Sequence, residues 1–152
     1  MQLHALFHVM PESASQDAHY VYACVQAAHY YRQQQKVYIY TNDQTQAHVI
    51  DELLWSFEPD SFVAHNLVGE GPRQGSPVEI GWQPPKGRRP ILINLASDIP
   101  AFAGQFSQVI DFVPSEASAR EQARARFRQY RQQGFTLDTV NVESSKNQQT
   151  NA

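Results

Sequence analysis

The sequence predicts a single α/β domain with a mostly parallel mixed sheet flanked by helices, in the doubly wound, Rossmann-like manner. Three observations carry this reading. The chain opens on a β-α-β-α succession of hydrophobic periodicities, the pattern of parallel strands joined by right-handed crossovers. Its 152 residues and 41% apolar content suffice for one hydrophobic core but not for two. Its most apolar run, Ile91-Leu92-Ile93-Asn94-Leu95, reads as a central strand covered on both faces.

The elements follow in order. Leu3, Ala5, Phe7 and Val9 alternate with more polar neighbours, the period of a first strand. After a Pro/Ser break, Val21, Cys24, Val25 and Ala28 recur at i, i+3, i+4 and i+7, with Asp17 favouring the helix start. The β-branched and aromatic stretch Lys36-Val37-Tyr38-Ile39-Tyr40 is a second strand. Thr41-Asn42-Asp43 then supplies caps for a helix to about Trp55, with Ala47, Ile50, Leu53 and Leu54 inward. Ser61 to His65 reads as a short strand or an extended loop, and 69–77 as a glycine-rich turn segment. Strands are expected at Val78–Trp82, around Ile91–Leu95 and at Val109–Val113, with a loop over 83–90 and a short helix over Pro100–Phe106. The last helix spans about Ala117 to Gln133 and stops at Gly134. Residues 143–152 are polar and aperiodic and read as a disordered tail, which leaves 1–142 as the domain.

No run approaches the length of a membrane span, and the first residues lack the features of a secretory leader, so a cytoplasmic protein is expected. A single cysteine, Cys24, excludes an internal disulfide and reads as a small buried hydrophobe. The net charge of −3 argues against a domain devoted to gripping phosphate backbones. Cations are unevenly placed, however: the first 70 residues hold only Arg32 and Lys36, and density peaks between Arg120 and Arg131.

Several constellations have plain structural readings. The glycine-rich loop lacks the Gly-Lys-Ser/Thr ending of a phosphate loop and leads into a strand where an anion-binding loop would open a helix. The six histidines show no metal-ligand spacing, and Glu70, Glu79, Asp51 and Glu52 lack a partnering nucleophile or base, so no cofactor, metal or catalytic residue is expected. Trp55 is different, because Phe57 and Phe62 follow closely. Propensity favours a tryptophan closing the core, and an exposed aromatic patch for a partner is the alternative. On the last helix, at about 100° per residue, Arg120, Arg124, Phe127 and Arg131 fall within roughly 60° of one another, with Arg128 just outside. Ala119, Ala123 and Tyr130 form a separate packing stripe. A cationic ridge edged by an aromatic suits an acidic peptide with an apolar anchor, since guanidinium groups take carboxylates in a bidentate manner.

With these residues in view, the chain resembles the chi subunit family of bacterial DNA polymerase III. The resemblance is carried by Leu54-Trp55 through Trp82, above all His65-Asn66-Leu67-Val68-Gly69-Glu70-Gly71-Pro72-Arg73, by Val109 to Pro114, and by Gln122-Ala123-Arg124 through Arg131 with Gly134-Phe135. It implies a non-catalytic clamp-loader component with two docking surfaces. One would bind the psi subunit through Trp55 and Phe62. The other would bind the acidic C-terminal tail of the single-stranded-DNA-binding protein through Arg124, with Arg120, Phe127 and Arg128 beside it and Val113 near the pocket. The family pattern has lysine near Arg120 and tyrosine at Phe127, so this chain keeps the aromatic wall without the hydroxyl. The resemblance also raises a repair helicase as a further partner, with DNA contacted indirectly. Two rivals have other motives: a nucleotide-binding or phosphoryl-transfer enzyme on the same fold, suggested by the glycine loop, and a direct single-stranded DNA binder using Arg88, Arg89 and the last helix.

Overall fold

The computed structural model describes residues 2–58, 62–72 and 75–143. These form one seven-stranded sheet, with elements in the order β1 (His4–Val9), α1 (Ala18–Arg32), β2 (Val37–Tyr40), α2 (Gln44–Ser56), β3 (His65–Leu67), β4 (Val78–Gly81), β5 (Ile91–Asn94), β6 (Gln108–Val113), α3 (Ala117–Gln132) and β7 (Thr136–Asn141). The spatial order is β3-β4-β2-β5-β6-β1-β7, and every neighbouring pair is parallel.

Strand alternation sorts the core into two layers. Val37, Ile39, Ile80, Ile91, Ile93, Ile110 and Phe112 point to one face, where Ala23, Ala27 and Ala28 of α1 and Ala47, Ile50 and Leu54 of α2 cover them. Ala5, Phe7, Tyr38, Leu92 and Val109 point to the other, against Tyr130 of α3 and the Phe102–Phe106 segment. Small residues on the inner side of α1 let that helix lie close to the sheet. Cys24 belongs to this layer, and burial pushes its thiol up to about 12, in keeping with an inert hydrophobe.

The helix termini follow local chemistry. Asp43 caps α2 by accepting from the Gln46 amide at 2.8 Å. Glu116 caps α3 by accepting from the amides of Ser118 and Ala119. Gly134, at φ 93°, ends α3 in a left-handed conformation that other residues adopt only under strain. Asp17 precedes α1 but makes no side-chain cap bond.

Three details depart from the sequence expectation. The short helix expected over Pro100–Phe106 is a single 3₁₀ turn, Ala103–Gln105. The strand near Ser61–His65 instead runs His65–Leu67; Ser61 and most of the tail, 144–152, lie outside the described residues. Strand β7 was not anticipated. Its residues Thr136-Leu137-Asp138-Thr139-Val140-Asn141 are almost wholly exposed and lack an apolar face of their own; pairing along all of β1 defines the strand.

Candidate docking surfaces

Helix α3 is fixed to the sheet by a buried polar cluster. Asp111, in the middle of β6, is fully buried, and Arg126 is 6% exposed. Arg126 Nε and Nη2 donate to the Asp111 carboxylate at 3.1 Å to 3.3 Å, while Nη1 and Nη2 donate to the carbonyls of Ser97 and Phe112 at 3.0 Å. Tyr130 Oη, Asn94 Nδ2 and the Phe112 amide also donate to Asp111. Burial alone would draw the Arg126 pKa down, but the Asp111 charge and its hydrogen bonds outweigh it and leave it raised. One of the arginines crowding this helix is thus an internal strut. The sequence signal was available: Arg126 continues the packing spacing of Ala119, Ala123 and Tyr130, and Asp111 interrupts an otherwise apolar strand.

With Arg126 turned inward, Arg124, Arg128 and Arg131 are left exposed. Arg124 and Arg128 are exposed, and the Arg124 guanidinium is paired with Glu121 one turn earlier, both side chains being mostly in solvent. Such a pair is worth roughly 0–1 kcal/mol and is readily exchanged for a ligand carboxylate. Arg120 is half-buried and donates to the Met10 carbonyl at the end of β1. Phe127 is half-buried, packed edge-on to Phe7 at 5.3 Å, with the Arg131 guanidinium 5.3 Å from its ring centre. Val113, at the end of β6, is also half-buried and rests on the same apolar layer as Phe127. The five residues singled out from the sequence therefore lie on one side of the sheet: an apolar floor of Val113 and Phe127, exposed cations at Arg124 and Arg128, and Arg120 tied to the framework. Strand β7 adds exposed Thr139, paired with Phe7 in register and so on this same face. Sequence reasoning missed it because it missed the strand.

The second surface lies at the opposite edge of the sheet. Trp55, in the last turn of α2, is 60% exposed and Phe62 is 66% exposed, with ring centroids 6.3 Å apart. The core-closing role that propensity favoured for Trp55 does not hold. Beneath it lies buried His65, 4.6 Å away ring to ring, whose Nδ1 donates to the Val63 carbonyl at 2.8 Å. His65 Nε2 is 3.2 Å from Asp51 Oδ1, without the alignment of a hydrogen bond. This stack holds the indole outward on a rigid base instead of letting it fold into the core. Both aromatics adjoin β3, an edge strand of three residues.

The features that suggested an enzyme have other roles. The glycine-rich segment is the crossover between the parallel strands β3 and β4, with no helix among its described residues. Gly75, at φ 78°, lets its backbone approach the Glu79 carboxylate and Arg89, where a Cβ would overlap both. Glu79, expected to be a solvated carboxylate, and Arg89, the candidate DNA contact of one rival reading, form a largely buried pair at 2.8 Å. At the carboxyl ends of the strands, a crevice of about 180 Å³ includes Asn42, Asn94 and Ser97, below the usual range of ligand pockets. Among the described residues, no three His, Cys, Asp or Glu side chains are placed to hold a metal, and no helix is long and apolar enough to cross a membrane.

Fold and surfaces together define a parallel α/β domain with a cationic, aromatic-edged helix toward one sheet edge and an exposed aromatic pair at the other. Residues 3–138 match the family described as DNA polymerase III chi subunit, HolC, and the chain belongs to that family. It is 46% identical over 119 residues to DNA polymerase III subunit chi of Escherichia coli, covering 77% of this chain and 81% of that protein. The proteins of the same name from Haemophilus influenzae and Pseudomonas aeruginosa are 41% identical over 140 residues and 39% identical over 132, covering 96% and 91% of those proteins and 91% and 86% of this chain.

Proposed function

We propose that this chain is a non-catalytic bridge within DNA polymerase III, joining the clamp loader, through the psi subunit, to the acidic C-terminal tail of the single-stranded-DNA-binding protein. The observation that carries the reading is the meeting, on one face, of exposed Arg124 and Arg128 with the half-buried apolar pair Val113 and Phe127. An acidic peptide ending in a large apolar residue would place carboxylates on the guanidinium groups and its terminal side chain against Val113 and Phe127. Trp55 and Phe62 then serve psi, because an exposed Trp–Phe pair on a rigid base suits the centre of a protein interface. One tail binds in the micromolar range, about 8 kcal/mol, since a flexible segment loses ordering entropy on docking. Several tails on one coated strand raise the effective affinity.

The test is a pull-down from purified components, using full-length single-stranded-DNA-binding protein against a version lacking its tail. Retention of the full-length protein alone supports the bridge. Equal retention of both would reject the tail as ligand.

A further inference from the structure

We propose that the cleft between the glycine-rich crossover and the 83–90 loop is a contact site for the phosphate backbone of single-stranded nucleic acid, separate from both docking surfaces. Among the described residues, the connections from β3 to β4 and from β4 to β5 hold no helix, and the cleft lies between them. Two loops cover that part of the sheet and leave about 520 Å³ between them. Its inner wall holds Glu79 and Arg89, whose charges satisfy each other: Arg89 also donates to the carbonyls of Val37 and Pro77, at 3.2 Å and 2.9 Å. Arg89 is therefore locked into the fold and withdrawn from any ligand.

The rim is different. Lys36, Lys86 and Arg88 all line this cleft, all are exposed, and none has an ion-pair partner among the described residues. Among the described residues, Glu70 is the one acid of the lining without an ion-pair partner. In a chain of net charge −3, three free cations gathered on one cleft from two separate segments form a local anion site. The lining decides what kind of anion. Val68 and Pro72 are its main apolar side chains, and among the described residues no aromatic ring lines it. A base has no stacking platform here, and an acidic peptide has no pocket for an apolar anchor. Flexible point charges without such a pocket suit successive phosphates, recognised without regard to sequence. The site goes beyond the bridging role, adding a direct hold on the strand that the tail-bearing protein coats.

The experiment is fluorescence anisotropy of the full chain with a labelled oligothymidylate of about 16 nucleotides, across a salt series. The expected result is weak, salt-sensitive binding that falls tenfold or more in the triple variant Lys36→Ala, Lys86→Ala, Arg88→Ala. Three lost phosphate contacts at about 0.7 each should flatten the log–log salt slope by about 2. Glu70→Gln should tighten binding. Thermal melts check that the triple variant folds, and unchanged affinity for the tail peptide separates this site from the bridging role. The inference is overturned if the wild type fails to bind the oligonucleotide at low salt. It is equally overturned if Arg124→Ala with Arg128→Ala removes binding that the triple variant retains, or if polyglutamate occupies the cleft in place of the oligonucleotide, which would make the partner an acidic protein segment.

Discussion

The two candidate docking surfaces sit toward opposite edges of one sheet, whose outermost strands β3 and β7 are six strand spacings or roughly 29 Å apart, and they are built on contrary plans. The Trp55–Phe62 patch is apolar surface left outside the core, propped on buried His65. The α3 ridge is polar surface over a buried ion pair, where one inward arginine, Arg126, orients the helix that carries the outward ones. The first should bind by desolvation and be indifferent to salt; the second should bind by charge over a shallow apolar floor. The difference teaches that an arginine's place in the sequence run says little about its task. Arg124 and Arg126 are two residues apart, and one is a candidate ligand contact while the other is a strut.

The largest expected effect separates those two arginines. Arg126→Ala leaves Asp111 charged and buried with its main partner gone, which costs about 3–5 kcal/mol. Denaturant unfolding should show the loss, and tail binding should fall with the fraction folded. Next in size is Trp55→Ala. Truncating an aromatic anchor of this exposure should cost psi binding about 2 kcal/mol or more while changing stability by only about 0.5 kcal/mol. Calorimetry and a thermal melt on the same sample would check both halves.

Smaller effects sharpen the contrast. Raising salt from about 0.05 M to 0.5 M should weaken tail binding severalfold and leave psi binding nearly constant, because screening acts on exposed charges. The smallest is pH dependence. His8 is 5% exposed between Tyr22 and Phe112, and His19 lies near Phe112. Burial lowers the pKa of each below the ordinary 6.5. Their neutral forms therefore contribute stability that is fully present above 6.5 and is lost as pH falls toward the depressed folded values. His4, raised by its hydrogen bond to Asp138, acts oppositely: its contribution is present below 6.5 and lost as pH rises through the raised value. Melting temperatures from pH 8 to about 5 should decline, and His8→Leu should flatten the decline.

What the sequence disclosed divides along physical lines. Elements with substantial buried apolar surface announced themselves: β1, β2, β5, β6 and all three helices follow from apolar period, apolar runs and caps, as with Asp43 at α2 and Gly134 after α3. Strand β7 did not, because an edge strand with solvent on most of its surface is specified by its partner's free hydrogen-bonding edge and not by its own residues. The helix-free crossover from β3 to β4 was hidden for a similar reason, since its glycines mark a turn without saying where the turn leads. At the α3 ridge, helical spacing grouped Arg120, Arg124, Phe127 and Arg131, with Arg128 just outside, but did not say that Arg120 would be half-buried against the Met10 carbonyl while Arg124 and Arg128 stay exposed. Whether Trp55 faced in or out depended on His65, ten residues away, filling the space beneath it.

The central claim is that two independent surfaces act on one rigid domain, and a crossed titration tests it most directly. Wild type, Arg124→Ala and Trp55→Ala are each titrated by calorimetry with the acidic tail peptide and with psi. Arg124→Ala should lose about 1.5–3 kcal/mol toward the tail, as expected for a charged hydrogen bond, and nothing toward psi, while Trp55→Ala should do the reverse. Undiminished tail binding by Arg124→Ala, or loss of both partners from either folded variant, would contradict the account.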